Sequence, residues 1–373
     1  MPGSTPPKDI AVIGGGIAGL GPAWQLSAQG HRVHLFERHH VGCGASGRAA
    51  GMLAPTSEVT FEEEPLLHLG QRSQSLYDQW LDALSHHSDI DLDHRQPGTL
   101  IVAIDRDDAE ALEHLYQYHR RLDLPVERLV GDEARRREPG LSPRIHYALD
   151  IPRDRPLDPR AMVRAMAQAF QASGGTLHEH CPVDAIMTDD GGVSGLRLED
   201  GTTHRAQAIV LAAGAWSPQI DGLPDGALPH LRPVRGQMVV VDQGDAPLVQ
   251  RIIRAPDAYL VPRSDGRLLI GSTMEERGFD ERLTAGGLRD ILDGAWEAVP
   301  AIYDAPIIDQ WIGFRPMTLA NRPVIGPSPI DGLFLSLGHG RNGILLTPVT
   351  AYGLAHCVST GEIPDYLTDF QLP

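Results

Sequence analysis

The chain opens with two short apolar segments on either side of a glycine-rich one. Asp9 to Ile13 is nearly all apolar and predicts a buried strand, and residues 31–37 alternate as a second strand does. Between them the glycine-rich stretch opens a helix that we expect to run to about Gly30. Pro22 lies inside this helix, where it removes one backbone hydrogen bond. The pattern predicts a strand–helix–strand unit.

Later segments alternate between helical and strand periodicity. Apolar residues recur at helical spacing over 63–84, 107–122 and 158–172, and a strand is predicted over 96–104. A final helix is predicted from about Gly343 to Val358. The remaining predicted strands are short and separated by turn residues: 183–187, 193–198, 202–205, 208–211, 238–242, 258–261, 267–271 and 333–337. We expect the first four of these to form a β-meander that ends in a buried strand.

Composition and charge exclude several classes of function. The 373 residues suit two domains, or one α/β unit interrupted by a second. The net charge of -17 disfavours binding to nucleic acid and to anionic lipid surfaces. No stretch reaches the ~20 apolar residues of a membrane span, so we expect a cytoplasmic protein.

Lysine and cysteine usage narrows the chemistry further. The only lysine is Lys8, ahead of the first predicted strand, which argues against a Schiff base and a phosphate-loop lysine. Cys43, Cys181 and Cys357 are odd in number and far apart, as expected of free thiols in a reducing compartment. The histidine pairs at 39–40, 86–87 and 178–180 lack a metal-ligand pattern, and we predict no metal site.

Gly14, Gly16 and Gly19 have the spacing of a dinucleotide-binding turn. The first glycine permits the tight turn, the second lets the backbone approach a pyrophosphate, and the third lets helix and strand pack closely. Glu37 follows at the end of the second predicted strand, where a ribose-binding carboxylate is expected, and it would repel the 2′-phosphate of NADP. The alternative is a glycine-rich turn without a ligand.

A second predicted nucleotide segment indicates FAD rather than NAD. Ile209 to Ser217 is a hydrophobic strand that ends in small residues after the meander, and it resembles the second nucleotide-contacting segment of FAD-binding two-domain proteins. Six motifs then resemble the D-amino-acid oxidase family, most closely its glycine oxidases. They are GASGRAAGMLAP (44–55), PVRGQ (233–237), YLVPR (259–263), GSTM (271–274), GFRP (313–316) and GHGRNGILL (338–346).

The resemblance covers residues 10–358 and implies the fold. The expected class is α/β, with a Rossmann-type FAD-binding domain and a substrate domain built on an antiparallel sheet over the flavin. We predict a discontinuous FAD-binding domain of residues 1–90, 146–220 and 312–373. The predicted substrate domain comprises 91–145 and 221–311.

The glycine motif and the resemblance together assign the FAD site. By this resemblance, residues 45–51 would form the loop beside the flavin ring and pyrophosphate, where small residues let the backbone come close. Arg48 stands where some related dehydrogenases carry a linking histidine, so noncovalent FAD is expected. In the last motif, glycines precede the predicted helix and Asn342 would cap it, so that its N–H groups face the flavin. The assigned residues are Gly14, Gly16, Ile17, Ala18, Gly19, Glu37, Arg38, Ala45, Ser46, Arg48, Ala49, Ala50, Gly51, Met52, Val183, Ala213, Gly214, Trp216, Gly338, His339, Gly340, Arg341, Asn342, Gly343 and Ile344.

The resemblance also assigns a substrate pocket. Arg315 would bind the substrate carboxylate through a bidentate guanidinium, and Tyr259 would add a hydroxyl contact. Arg341 would line the entrance, and Met52 and Met274 would limit the side chain tolerated. The alternatives are an ion-paired surface arginine for Arg315, a core tyrosine for Tyr259 and a solvated charge for Arg341.

The function implied is oxidation of glycine or another small amine by hydride transfer to flavin N5. O2 would reoxidise the flavin to give hydrogen peroxide, and the imine would be hydrolysed or passed to thiamine thiazole synthesis. Relatives suggest a homo-oligomer, specifically a tetramer. Two alternatives stay open: a D-amino acid dehydrogenase that passes electrons to a quinone or another carrier, and a non-catalytic flavin-carrying subunit.

Overall fold

The predicted strand–helix–strand unit is present at the start of the computed structural model, which describes residues 6–372. It comprises β1 (Asp9–Ile13), α1 (Ile17–Ala28) and β2 (Arg32–Phe36), and Pro22 lies inside α1 as expected. Residues 1–5 and 373, which the predicted domain limits include, lie outside the described residues.

The other elements follow in chain order. The helices are α2 (Ala45–Arg48), α3 (Pro55–Glu58), α4 (Glu64–Ser85), α5 (Arg106–Arg121), α6 (Gly131–Arg137), α7 (Pro159–Ala172), α8 (Ala285–Ala298) and α9 (Thr347–Thr360). The strands are β3 (Met52–Leu53), β4 (Thr99–Ala103), β5 (Glu127–Val130), β6 (Tyr147–Ile151), β7 (Arg155–Pro156), β8 (Thr176–His178), β9 (Val183–Asp189), β10 (Gly192–Leu198), β11 (Thr203–Arg205), β12 (Ala208–Leu211), β13 (Leu231–Asp242), β14 (Ile252–Arg254), β15 (Tyr259–Pro262), β16 (Arg267–Gly271), β17 (Ile307–Thr318), β18 (Val324–Pro327) and β19 (Leu333–Leu337). Short 3-10 turns occur at Gly214–Gln219, Pro300–Asp304, Gly340–Asn342 and Asp365–Phe370.

A six-stranded, mostly parallel sheet carries the glycine motif. Its order is β18-β19-β12-β1-β2-β8, and β18 runs antiparallel to its neighbour. Ile10 and Val12 of β1 pack into the core shared with helices α1, α4, α7 and α9. Ala11 and Ile13 pack on the other face, with residues of the meander β9–β11. Successive side chains of β1 point to opposite faces of the sheet, so this strand buries apolar residues against the helices on one face and against the meander on the other.

An eight-stranded sheet forms the second layer, in the order β17-β13-β16-β15-β14-β4-β6-β5. Adjacent strands in this sheet are antiparallel, except that β4 and β14 run parallel to each other. Val239 and Ile270 face one side, where they pack with Ile291 of α8. Met238 and Trp311 face the other side, in a cluster that includes Ala50. The face that carries Met238 and Trp311 is therefore turned towards the segment around Ala50, just after α2.

The predicted fold class is confirmed, with corrections to individual elements. The strand predicted over 238–242 begins at Leu231, because Pro233 and Gly236 resemble strand ends but pair across to β17. The pattern did not predict β17 or α8. The division into domains remains a prediction, and β6 and β17, which lie at or across the predicted limits, both belong to the eight-stranded sheet.

Candidate active site

The turn between β1 and α1 has the close packing that its glycines predict. Gly14 has a φ of +110°, and a Cβ there or at Gly19 would collide with a backbone carbonyl oxygen. At Gly16 the nearest atom to a Cβ would be Ser46 Oγ, at 3.0 Å. The same hydroxyl accepts the Ile17 N–H over 3.0 Å. Gly14 and Gly19 therefore serve the packing of the chain, whereas Gly16 leaves open space in front of the helix.

Glu37 joins this turn to the end of β2. Its carboxylate accepts the Gly15 N–H over 2.8 Å and the His39 N–H over 2.9 Å. The side chain is buried. A carboxylate has about four lone-pair sites, so Glu37 retains acceptors for ribose hydroxyls.

A single cavity brings together most of the residues assigned to the cofactor. Those that line it are Gly14, Gly16, Ile17, Ala18, Glu37, Arg38, Ala45, Ser46, Ala49, Val183, Ala213, Gly214, Trp216, Gly338, His339, Gly340, Arg341, Gly343 and Ile344. The cavity runs from the glycine turn of the parallel sheet to β17 of the second sheet. A glycine-lined cradle, a helix N-terminus and a buried carboxylate are what a dinucleotide requires, so the residues present fit FAD.

Other lining residues were not predicted to contact the cofactor, although some lie in the recognised motifs. They are Ile13, Phe36, Gly42, Cys43, Gly44, Pro182, Asp184, Glu199, Ala212, Ala215, Gln219, Ile220, Phe314, Pro316 and Ser336. Phe314 and Pro316 belong to a motif already recognised, and strand alternation turns their side chains to the opposite face of β17 from Arg315. Glu199 and Asp184 come from the meander and carry no local signal.

The loop after Ala45 is shared between the cavity, which Ser46 and Ala49 line, and the second sheet. Arg48, Ala50, Gly51 and Met52 are not among the lining residues, nor are Gly19 and Asn342. The Arg48 carbonyl accepts the Trp311 Nε1–H over 2.9 Å, and the Ala50 carbonyl accepts from Arg263 over 2.6 Å. Arg48 itself is exposed. The loop is thus fixed between the glycine turn and the substrate side of the sheet.

The last glycine-rich motif differs from its prediction. The helix begins at Thr347, not at about Gly343, and Gly340–Asn342 forms a 3-10 turn before it. Asn342 therefore does not cap the helix, whose N-cap residue is Leu346. Gly338 and Gly340 have φ values of +72° and +55°, and side chains there would meet Thr318 and Met317 of β17. The turn is held close to the sheet by this packing.

Helix α4 anchors the same motif from the other side. Ser73 Oγ donates to the Leu345 carbonyl over 2.6 Å, and the Tyr77 hydroxyl donates to the Ile344 carbonyl. His339 is buried beside Thr350 Oγ1, at 3.1 Å. Burial lowers the pKa of His339 to about 4, so the imidazole is neutral at physiological pH.

Arg315 and Tyr259 project from the same face of the eight-stranded sheet. The Arg315 guanidinium lies over Gly236 of β13, where a Cβ would collide with it. The Tyr259 hydroxyl lies 3.5 Å from Met238 Sδ, and Met238 is two residues further along the same strand. Residues at this spacing are about 7 Å apart. The two groups therefore occupy neighbouring positions above one strand.

The Arg315 guanidinium has no carboxylate partner among residues 6–372. Its hydrogen bonds run to the Thr273 carbonyl over 3.2 Å and to Ser272 Oγ. It is half-buried, and neither it nor Tyr259 is among the residues that line the cavity, although its chain neighbours Phe314 and Pro316 are. A half-buried guanidinium without a counter-ion is suited to bind an anion.

Arg341 differs from Arg315 in its pairing. It lies 3.1 Å from Glu58 and 2.7 Å from Glu63, and it also donates to the Glu58 carbonyl. Its charge is thereby neutralised at the cavity wall. Met274 is 61% exposed on the segment after β16, whereas Met52 is half-buried and packs in the same cluster as Tyr259.

The described part of the chain has neither a cluster of metal ligands nor a helix suited to span a membrane. No group of three or more His, Cys, Asp or Glu side chains in residues 6–372 is arranged to hold a metal ion. Of the helices described, none is both long and apolar enough to pass through a bilayer.

Comparison with known proteins agrees with this geometry. The family model for FAD-dependent oxidoreductases of the DAO type matches residues 9–357. Glycine oxidase of Geobacillus kaustophilus is 35% identical over 98% of this chain and 96% of that protein. Its crystal structure superimposes with a TM-score of 0.92 at 34% identity, covering 98% of both chains. A bifunctional protein ThiO/ThiG of Trichormus variabilis is 30% identical over 97% of this chain, which spans 54% of that protein. The chain belongs to the DAO family of FAD-dependent oxidoreductases.

Proposed function

We propose that this enzyme oxidises glycine or another small amino acid at its α-carbon. The observation that carries the proposal is the half-buried Arg315 guanidinium, which has no carboxylate partner in the described residues and shares one face of the eight-stranded sheet with Tyr259. The similarity to glycine oxidase over almost the whole chain supports the same substrate class.

The role proposed for Arg315 is orientation of the substrate. Two parallel hydrogen bonds from one guanidinium fix both the position and the rotation of a carboxylate, which a single point charge does not. The Tyr259 hydroxyl, above the next position of β13, would donate a third hydrogen bond to the same carboxylate. Fixing the carboxylate in this way aims the α-carbon hydrogen in one direction.

When bound, FAD would supply a two-electron acceptor at N5, and its reoxidation by O2 would give hydrogen peroxide. The substrate loses a hydride from its α-carbon and a proton from nitrogen, and a C=N bond forms. Water then hydrolyses the imino acid to a 2-oxo acid and ammonia, or the imine enters thiamine thiazole synthesis. The neutral amine needs no side-chain base, so the protein contributes position and electrostatics.

The cavity-lining motif at 338–344 would stabilise the charge that develops on the reduced cofactor. Its backbone lies at the cavity wall next to the start of α9, with its glycines packed on β17. Backbone N–H groups held in advance stabilise negative charge without reorganisation.

The decisive experiment compares Arg315→Ala and Arg315→Lys with the wild type under anaerobic conditions. Flavin reduction is followed with glycine, sarcosine, D-alanine, D-proline and the L-forms where they exist. Losing two charge-assisted hydrogen bonds, each worth roughly 1.5 to 3 kcal/mol, predicts at least about a hundredfold fall in kcat/KM for Arg315→Ala. Arg315→Lys retains the positive charge but loses the planar guanidinium, so its kcat/KM should lie between those of the wild type and Arg315→Ala.

Amines without a carboxylate provide the control. The wild type has no such interaction to use with them, so the ratio of mutant to wild-type rate should rise towards one. If Arg315→Ala retained FAD and oxidised glycine, sarcosine and D-alanine within a few-fold of wild type, the proposal would be wrong. Oxygen consumption compared with dye reduction identifies the acceptor and separates an oxidase from a dehydrogenase.

We further propose a cytoplasmic homo-oligomer. The net charge of -17 and the absence of paired cysteine spacing support the location. The tetramer implied by the family resemblance is checked by sedimentation equilibrium.

A further inference from the structure

Arg315 takes its position from the segment that follows β16. Ser272 Oγ and the Thr273 carbonyl both accept hydrogen bonds from its guanidinium. The segment then pairs with β13, because Arg235 and Glu275 exchange backbone N–H···O bonds of 2.9 and 3.0 Å. What fixes this segment therefore also fixes Arg315.

The side chain that fixes it is Glu275. Glu275 Oε1 accepts from Thr273 Oγ1 over 2.6 Å and from Gln237 Nε2 over 2.7 Å. Glu275 Oε2 accepts from the Arg235 guanidinium. Thr273 Oγ1 in turn accepts the Gln237 N–H over 3.0 Å. One carboxylate thus holds Thr273 through its hydroxyl while the carbonyl of the same residue accepts from Arg315.

These groups lie on the opposite face of β13 from Arg315. The Arg315 guanidinium lies over Gly236, which stands between Arg235 and Gln237 in β13. Because successive side chains of a strand point to opposite faces, those of Arg235 and Gln237 point away from Arg315. Arg235 is 1% exposed and is held on its other side by the Arg282 carbonyl over 2.9 Å and by Asp280 over 3.4 Å. The network is therefore built into the sheet and does not touch the substrate position.

The charge state of Glu275 agrees with a fixed ion pair. Burial by itself raises the pKa of this carboxyl, but hydrogen bonds from Arg235, Thr273 and Gln237 outweigh it and hold the pKa at about 2. Glu275 is thus ionised throughout the neutral range, so its hold on Thr273 does not vary with pH there.

We propose that Glu275 is a positioning residue for substrate binding, which acts through Thr273 on the direction of the Arg315 guanidinium. This inference rests on the proposed role of Arg315. It also gives a physical reason for two motifs, PVRGQ and GSTM with the following glutamate, whose charged side chains do not reach the cavity.

The test uses the holoenzyme with Glu275→Gln, and Glu276→Gln is its matched control. Glu276 is the next residue, is exposed, and pairs with Arg232 at 3.4 Å outside this network. The probe is glycolate, in which a hydroxyl replaces the amine of glycine, and its Kd is read from the change in flavin absorbance. Steady-state KM and kcat for glycine and the melting temperature are measured alongside.

We expect Glu275→Gln to raise the Kd of glycolate and the KM of glycine at least about tenfold, because a displaced guanidinium loses bidentate geometry. We expect kcat to change less than about threefold once substrate is saturating. Glu276→Gln should match the wild type in all three constants. A merely structural role would lower the melting temperature and leave the Kd of glycolate unchanged, and that result would overturn the proposal.

Arg315→Ala in the same assay separates this proposal from the one on which it rests. If Arg315→Ala binds glycolate as the wild type does, the proposed function itself fails. If Arg315→Ala loses binding but Glu275→Gln does not, only the positioning role fails. Should Glu275→Gln not retain FAD, Thr273→Val decides, since it removes the linking hydroxyl alone: weaker glycolate binding supports the proposal, and unchanged binding refutes it.

Discussion

The Gly15 N–H donates to Glu37 Oε2 over 2.8 Å, which ties the glycine turn directly to the end of β2. The other oxygen of Glu37 accepts the His39 N–H over 2.9 Å. A residue expected only to bind ribose thus also holds the backbone of the glycine turn and of the segment after β2. Changes at Glu37 should affect both the fold and the cofactor.

Glu37→Ala should weaken FAD retention and lower the stability of the apoprotein. The substitution leaves the Gly15 and His39 N–H groups without acceptors, and each unsatisfied group lowers the free energy of unfolding by about 1–3 kcal/mol. It also removes the predicted hydrogen-bond partner of the ribose. The checks are the FAD-to-protein ratio after dialysis and the melting temperature. Glu179→Ala is the control, because Glu179 accepts the Val41 N–H over 2.8 Å outside the cavity. Equal FAD retention in both variants would refute the assignment of Glu37.

Gly16→Ala and Gly19→Ala should separate cofactor binding from folding. A Cβ on Gly19 meets the Gly14 carbonyl oxygen, so this variant should fold poorly. A Cβ on Gly16 comes only within 3.0 Å of Ser46 Oγ, so the chain should fold but lose FAD affinity. Gly286→Ala, with nothing within 4 Å, is the control. The readouts are soluble yield, circular dichroism and FAD content, and full FAD occupancy in Gly16→Ala would contradict the prediction.

Arg341→Gln should affect catalysis much less than Arg315→Ala. The Arg341 guanidinium is already paired with Glu58 and Glu63, so it has little capacity left for a substrate carboxylate. We expect kcat/KM for glycine to stay within about tenfold of wild type, whereas the loss of two charge-assisted bonds at Arg315 costs more. A larger loss for Arg341→Gln than for Arg315→Ala would reverse the two assignments.

Asp154→Asn should stabilise the protein most at alkaline pH. Asp154 is fully buried, and neither of its oxygens has a well-formed hydrogen bond among the described residues, although the Ser57 and Thr99 hydroxyls lie nearby. Burial raises its pKa to about 7, so the folded state favours the protonated acid. The protonated Asp154 therefore stabilises the fold fully below the unfolded pKa of about 3.9, and this stabilisation is lost as pH rises towards the folded pKa. The melting temperature of Asp154→Asn minus that of wild type should be larger at pH 8 than at pH 5, and a constant difference would contradict this.

Acid precipitation should release FAD into the supernatant. Arg48 occupies the position where a linking histidine is expected in some relatives, and a guanidinium does not form such a bond. The flavin spectrum and chromatographic identity of the supernatant check this. Yellow colour that stays with the precipitated protein would show a covalent link.

The first half of the cofactor site could be predicted because its requirements are local. The turn at Gly14 and the carboxylate at Glu37 are set by a few neighbouring residues, and their spacing is visible in the chain. The start of α9 was misplaced, since a 3-10 turn and a helix have nearly the same pattern over Gly340–Leu346. The pairing of Arg341 with Glu58 and the hold of Glu275 on Thr273 depend on long-range contacts, which one sequence does not display.

The eight-stranded sheet is assembled from two excursions of the chain out of the parallel sheet. One leaves after β2 and returns at β8, and the other leaves after β12 and returns at β18. Within the sheet their strands pair at β4 and β14, through Thr99, Leu100 and Ile101 against Ile252, Ile253 and Arg254, and side chains add further contacts such as Arg251 to Asp150 over 2.8 Å. The second excursion carries Tyr259, Glu275 and Arg315 together. A transplant of 213–323 between relatives, whose two ends lie in the nucleotide sheet, would therefore move these three residues as one unit and would have to match both the β4–β14 pairing and the side-chain contacts with the first excursion.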